Sequence, residues 1–245
     1  MRAPASRPPL RVLFVDDGGV LNDNERRAPE WRRLVGEFFA PRLGGTPDAW
    51  AAANAAIFPT SWARYLAHIS IATAGVRAFF QAEDRRWLRG MCAAIGVASP
   101  EDRDELDELV EAAQRYITRN VASAYPDAAQ AIRDVARSGI ALHTASGGTA
   151  LQLDGYLRAI GLRELFDRLY GVDLIDRFKS GPHYYAAILA DSGVDPAEAA
   201  VIDDSPEALD WAASCGLRTI RVARTGGGDG RHESVASLAL LPHVL

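Results

Sequence analysis

Lysine is almost absent from this chain of 245 residues. Of its 27 basic residues all but one are arginine, and Lys179 stands alone. A genome biased toward arginine codons accounts for the excess. Against that background the retained lysine is a candidate for a task arginine does poorly, that of a compact ammonium point charge. Cysteine is scarce too. Cys92 and Cys215 cannot build a disulfide framework and read as two reduced, partly buried thiols of a cytoplasmic protein. No apolar run approaches the roughly eighteen residues of a membrane-spanning helix. An excess of positive charge is also missing, because the formal net charge is -5; this argues against an electrostatic nucleic-acid binder. Residues 1–9 hold arginine and proline but no apolar h-region, so they read as a disordered leader and not as a signal peptide.

What is present is ordinary for a globular chain: 48% hydrophobic and 24% charged residues, enough apolar surface to build a core and exclude general disorder. The length suits one good-sized domain or a core with a smaller domain inserted. The segment LRVLFV at 10–15, stopped by Asp16-Asp17-Gly18-Gly19, predicts a buried strand and a tight loop. Residues 22–122 are rich in Ala, Arg, Glu and Trp, with helical periodicity and little strand signal. There Leu106, Leu109, Val110, Ala113 and Ile117 share one helix face. Ser99-Pro100-Glu101-Asp102 predicts that helix's N-cap and first turn, while 44–47 and 58–61 read as breaks. From residue 127 helices and strands alternate. Strands are expected at 140–144, 169–172, 199–202 and 217–222, and helices at 127–138, 149–160, 182–191 and 206–214. A glycine-rich loop at 225–230 and a short apolar segment end the chain. This alternation implies an α/β, Rossmann-like parallel sheet with helices on both faces, built from 10–21 and 123–245, with 22–122 inserted as a helical domain.

In such sheets the active site lies at the carboxyl ends of the strands. Asp16, Asp17, Thr144, Ser146, Asp203 and Asp204 all fall at predicted strand ends and should converge on one edge. Four pieces then stand in order: Asp16-Asp17-Gly18-Gly19-Val20-Leu21, Thr144 in IALHTAS, Lys179, and Asp203-Asp204 in VIDDSPEAL. This order resembles the haloacid dehalogenase (HAD) superfamily over about residues 10 to 223. The resemblance implies a hydrolase with Asp16 as nucleophile and Mg²⁺ as cofactor. Asp16, Asp204 and the Gly18 carbonyl would bind the metal, and Asp203 would act through a metal-bound water. Thr144, with the backbone around Ala145 and Ser146, and Lys179 would hold the phosphoryl group. It also implies a helical cap at 22–122, a small phosphorylated substrate, a monomer or homodimer, and no nucleic-acid or membrane partner. The chemistry is coherent: a carboxylate attacking phosphorus needs its charge offset and its target held in line, and hard oxygen ligands suit Mg²⁺.

Gly18 departs from the family's phosphatases, which carry an acid/base Asp there. Glycine has no proton to give, and a general acid is worth ~10²–10⁴-fold in rate. Three explanations stand side by side. The leaving group needs no proton, as with an acyl phosphate. A cap group such as His68 or an acid supplies it. Or the protein is a slow or non-catalytic relative. An off-register reading gives the role to Asp17. Metal-independent carbon–halogen cleavage is the alternative chemistry, disfavoured by the paired acids Asp203-Asp204. Singly, each piece has an ordinary reading: a polar turn, a β-strand threonine, a surface lysine, acids near a helix start. His143 should point to the face opposite Thr144 and pack. Trp31, Trp50, Trp62 and Trp87 are expected in the core of the inserted segment. Arg64 and Arg77 are candidates for holding an anionic substrate tail, and His183 carries no recognisable pattern.

Overall fold

β1 (Val12–Val15), β2 (Ala141–Ala145), β3 (Phe166–Tyr170), β4 (Ala199–Asp203), β5 (Arg218–Val222) and β6 (Glu233–Val235) form one sheet in the computed structural model. Residues 8–227 and 230–245 are described; of the expected leader only Pro8 and Pro9 fall among them. The strand order is β3-β2-β1-β4-β5-β6, and every pairing is parallel. The helices are α1 (Asn24–Leu43), α2 (Pro47–Ile69), α3 (Val76–Ile95), α4 (Arg103–Asn120), α5 (Ala128–Arg137), α6 (Ala150–Ala159), α7 (Pro182–Ser192) and α8 (Pro206–Ser214). This is the α/β, Rossmann-like sheet that the alternation predicts.

Strand alternation sorts the core into two layers. Leu13 and Val15 of β1 point to one face, where Ala131, Ile132 and Val135 of α5 and Leu153 and Leu157 of α6 cover them. Val12 and Phe14 point to the other, against Tyr184, Tyr185 and Ile188 of α7 and Leu209 and Ala212 of α8. Both faces are therefore buried, as a parallel sheet requires. Chain order steps outward from β1 to β2 and β3 on one side and resumes with β4 on the other. The switch point lies between β1 and β4, and their carboxyl ends carry Asp16 and Asp203.

The four helices between β1 and α5 form a third cluster. Leu34, Phe39, Trp50, Leu88, Met91, Leu106, Val110 and Ile117 are its buried centre. The connections into and out of this segment run side by side. Asp23 N–H donates to the Ser123 carbonyl at 2.8 Å, and Tyr125 N–H donates to the Leu21 carbonyl at 3.0 Å.

The structure corrects several sequence expectations. No break occurs at 58–61, because α2 runs through Pro59 to Ile69. Proline removes one N–H donor, and a long helix with its ring on the exposed side tolerates that. The cap of α4 is Asp102, whose carboxylate accepts from the N–H groups of Asp104 and Glu105, so Ser99 and Pro100 lie outside the helix. β3 begins earlier than expected, at Phe166, because Asp167 and Arg168 occupy exposed positions on an edge strand. The tail adds β6, too short to show periodicity.

Gly155 of α6 marks where the helical segment meets the sheet layer. A Cβ there would fall 1.8 Å from Thr118 Oγ1 and 3.1 Å from the Thr118 backbone. Gly155→Ala is therefore expected to destabilise the protein by ~1–3 kcal/mol through overpacking, read as a lower urea midpoint; an unchanged midpoint would refute this close approach.

Candidate active site

The candidate site is assembled from four separate stretches of chain. Asp16 follows β1 and is held by its N–H donating to the Ile202 carbonyl at 3.0 Å. Lys179 arrives from the loop between β3 and α7. Its ammonium donates to Asp16 Oδ1 at 2.7 Å, to Asp203 Oδ2 at 2.7 Å and to the Ala145 carbonyl at 2.9 Å. Carboxylate oxygens of Asp16, Asp203 and Asp204 lie within 4.8 Å of one another. Asp16 and Asp203 are buried and Asp204 is exposed.

These charges reshape each other. Burial pushes the Asp16 carboxyl up to about 7; the Lys179 charge opposes that shift and the Asp203 charge adds to it. Burial alone would pull the Lys179 ammonium down, but Asp16 and Asp203 hold it well above the usual lysine range. Partial burial, then the Asp16 charge, raises Asp204. Three carboxylates against one ammonium leave two negative charges uncompensated. An oxygen-only donor set with that deficit fits a hard divalent cation such as Mg²⁺.

The loop after Asp16 shows why glycines stand there. Gly19 has φ +80°, and a Cβ on it would fall 2.0 Å from Asp204 Oδ2. A Cβ on Gly18 would instead meet the Asn24 carboxamide, 2.9 Å from Oδ1 and 3.1 Å from Nδ2. The sector that a side chain at 18 would enter is thus filled by an exposed amide from the first turn of α1. Asp17 is not available as a substitute acid. Its Oδ1 accepts from Asn22 at 2.6 Å and its Oδ2 from Arg27 at 2.6 Å. Arg27 lies 4.3 Å over the Tyr156 ring, and Ser123 Oγ donates to Asn22 Oδ1 at 2.9 Å. The network ties the Asp16 loop to both connections of the helical segment.

Thr144 sits at the end of β2, opposite Val15. Its Oγ1 is fully buried and has no hydrogen-bond partner among the described residues, which marks a place for a ligand oxygen or water. Ala145 enters the site through its carbonyl, on Lys179. The Ser146 N–H, expected among the phosphate donors, donates to the Tyr170 carbonyl at 3.1 Å and is engaged in the sheet. Both Asp203 oxygens have partners, because Oδ1 accepts from Ser205 N–H at 2.9 Å. His143 packs on the opposite face against Phe14 and Tyr170.

Arg64 and Arg77, candidate anion holders by sequence, are engaged elsewhere. Arg64 pairs with Glu83, and Arg77 donates to the Asp173 carbonyl. His68 stacks on Phe79 and meets Phe178 edge-on. The His183 ring lies 2.9 Å from the Phe178 carbonyl. Two residues that sequence reading did not single out position this side of the site. Asp176 accepts from Gly75 and Val76 N–H, capping α3 from across the cleft. Tyr65 meets Phe178, the neighbour of Lys179, edge-on. Neither belongs to a motif; only their contacts reveal them.

The family model of haloacid dehalogenase-like hydrolases matches residues 10–216. An enolase-phosphatase E1 of Pseudomonas aeruginosa (strain LESB58) is 34% identical over 118 residues, 47% of this chain and 52% of that protein. The (S)-2-haloacid dehalogenase 4A of Burkholderia cepacia is 26% identical over 166 residues, 68% of this chain and 65% of that protein. The chain thus spans about half to two thirds of the length of these curated relatives. The solved structure of a defluorinating L-2-haloacid dehalogenase superposes with a TM-score of 0.67 at 20% identity, covering 100% of this chain and 98% of that one. At that identity the likeness speaks for the fold.

The side chains of Asp17 and Arg27 are 4% and 17% exposed, so removing one partner leaves a charge with little water. Arg27→Met is expected to cost about 3 kcal/mol in chemical denaturation. Adding Asp17→Asn should recover most of that loss; no recovery would mean that the pair is not coupled.

Proposed function

The chain belongs to the haloacid dehalogenase-like hydrolases, and within that family we propose that it hydrolyses a small phosphorylated metabolite through an aspartyl-phosphate on Asp16. The observation that carries this reading is the meeting of Asp16, Asp203 and Asp204, the first two of them paired with the ammonium of Lys179. Mg²⁺ would be held by Asp16, Asp204 and the Gly18 carbonyl, with Asp203 acting through a water. When bound, the ion offsets the charge between carboxylate and phosphate.

Each protein group then has a task. Asp16 Oδ1 is held by Lys179, and Oδ2 accepts no hydrogen bond among the described residues, leaving an electron pair for phosphorus. As the Asp16–phosphorus bond forms, the bond from phosphorus to the leaving oxygen breaks and that oxygen departs with the electron pair. Thr144 Oγ1 gives its unused hydrogen bond to a phosphoryl oxygen. Lys179 balances the added charge. Water then attacks phosphorus, its proton passes to solvent, and inorganic phosphate leaves as Asp16 is regenerated. Asn24 can donate a hydrogen bond beside Gly18 but cannot transfer a proton. The reading therefore favours leaving groups that depart unprotonated, such as acyl phosphates, and an enolase-phosphatase among the relatives fits that preference.

The same reading takes residues 22–122 as a cap that closes over the site. It takes the protein as a cytoplasmic monomer or homodimer acting on a small molecule without nucleic acid or membrane. No helix among the described residues is long and apolar enough to cross a membrane. The second reading, metal-independent carbon–halogen cleavage by Asp16, is favoured by the dehalogenase relatives. The excess of carboxylates over ammonium weighs against it.

With Mg²⁺ present, acetyl phosphate hydrolysis is expected, lost both in EDTA and in Asp16→Asn; turnover surviving either treatment contradicts the proposal. Chloride release from 2-chloropropionate in EDTA would establish the second reading. Gly18→Asp, whose Cβ would meet the flexible end of the Asn24 side chain, should raise alkyl phosphate hydrolysis by ~10²-fold or more. No gain would show that the site lacks more than a general acid.

A further inference from the structure

Trp50 is fully buried, and Trp31 and Trp87 pack against the same cluster of the helical segment; Trp62, expected there too, is 50% exposed on α2. Further along α2, Tyr65 meets Phe178, with ring centroids 6.1 Å apart. Phe178 belongs to the stretch between β3 and α7, and the backbone of that stretch is tied to the helical segment as well.

Residues 73–77, which lead into α3, lie against residues 173–178, which lead to Lys179, in the opposite direction. Phe178 N–H donates to the Thr73 carbonyl at 3.1 Å. The Asp176 carboxylate accepts from Gly75 N–H at 3.2 Å and from Val76 N–H at 2.8 Å. Arg77 Nε donates to the Asp173 carbonyl at 3.1 Å. As one stretch advances the other retreats, and four hydrogen bonds close a single seam.

Asp176 is the unusual member. Its φ is +49°, and among the described residues no other residue besides glycine has a positive φ. That region is unfavourable for a residue with a Cβ, although aspartate tolerates it better than most. The start of α3 has no side-chain cap of its own, because Gly75 stands at the N-cap. Asp176 supplies the missing acceptor, and its negative charge suits a helix start. A strained backbone kept at a residue whose carboxylate bridges two parts of the molecule points to a task at that place.

The chain from Asp176 to Lys179 is held at every residue. The Asp176 carboxylate is on α3, and Arg177 N–H donates to the Val172 carbonyl at 3.0 Å. The Phe178 side chain is fully buried, and the Lys179 ammonium is on Asp16, Asp203 and the Ala145 carbonyl. Three residues span at most about 11 Å, so a movement of α3 is passed on to the lysine.

We propose that Asp176 is a positioning residue: it fastens the start of α3 to the strap that carries Lys179, and the ammonium stays on Asp16 and Asp203 only while that seam is closed. The consequence for turnover rests on the hydrolase reading; the seam itself does not. The inference deepens that reading by making the engagement of Lys179 depend on where the helical segment sits.

Lys179 is the only lysine of the chain, so its ammonium can be observed alone. The test uses the full chain, grown with lysine carrying ¹⁵N at Nζ, which gives one side-chain resonance displaced from that of a solvated lysine. Asp176→Gly keeps the left-handed backbone and removes the acceptor. It is expected to speed hydrogen exchange at the Val76 and Phe178 amides about tenfold or more and to move the Lys179 resonance toward the solvated position. With Mg²⁺ and acetyl phosphate, its kcat should fall about tenfold with KM nearly unchanged. Asp176→Asn, which retains an acceptor oxygen, should restore most of each effect. Faster exchange at Val76 with an unmoved Lys179 resonance would reduce Asp176 to a helix cap and overturn the proposal, as would full protection of Val76 in Asp176→Gly. If the unmodified chain turns over no acetyl phosphate, the hydrolase reading fails and the resonance still decides the positioning. If Asp176→Gly does not fold, the unmodified chain in low urea takes its place. There the Val76 and Phe178 amides should lose protection together with the displacement of the Lys179 resonance, and loss of one without the others overturns the proposal.

Discussion

The structure depends on one ammonium shared between two buried carboxylates. Without Lys179, Asp16 and Asp203 would stand unscreened at the ends of adjacent parallel strands. Two like charges in a dehydrated place cannot both remain ionised. The lysine holds Asp16 by one oxygen and leaves the other without a hydrogen-bond partner among the described residues. By also binding the Ala145 carbonyl it fixes the ends of β1, β2 and β4 relative to one another. A guanidinium, broad and planar, would not fit three acceptors converging on one nitrogen. In a chain that otherwise uses arginine throughout, that is a physical reason for the exception.

Around this centre the helical segment is attached at two places by different means. On one side Asp17, Arg27, Asn22 and Ser123 form a network below the Asp16 loop. On the other, Asp176 caps α3, and Phe178 N–H donates to the Thr73 carbonyl. The second attachment carries an aromatic cluster of Tyr65, His68, Phe79 and Phe80 onto Phe178. Phe178, the neighbour of Lys179, is thus enclosed by rings of the helical segment.

Much of this was legible in the sequence. Apolar runs ending in acids located β1 and β4, and the scarcity of lysine pointed to Lys179. The bond-level assignments were not legible. Asp16 and Asp17 are adjacent and chemically identical, and only the fold decides which faces Lys179 and which faces Arg27. Ser146 offered a plausible backbone donor, but β3 pairs with that N–H. Pro59 reads as a breaker, yet it interrupts only one rung of a long helix. Trp62 and Trp50 are indistinguishable by residue type and lie on the same helix. Which is buried depends on where α1 and α3 pack, information that resides in long-range contacts.

The side-by-side entry and exit of the helical segment have a consequence for modularity. Asn22 and Ala124 pair across an antiparallel bridge, so the hundred or so residues between them begin and end at one spot. For the sheet, that excursion is a closed loop whose length changes the chain entropy only logarithmically. A longer, shorter or differently folded excursion could hang from the same pair of backbone hydrogen bonds without shifting the register of β1. The architecture separates the sheet, which carries Asp16, Lys179 and Asp203, from the helical segment, and leaves the second free to be exchanged.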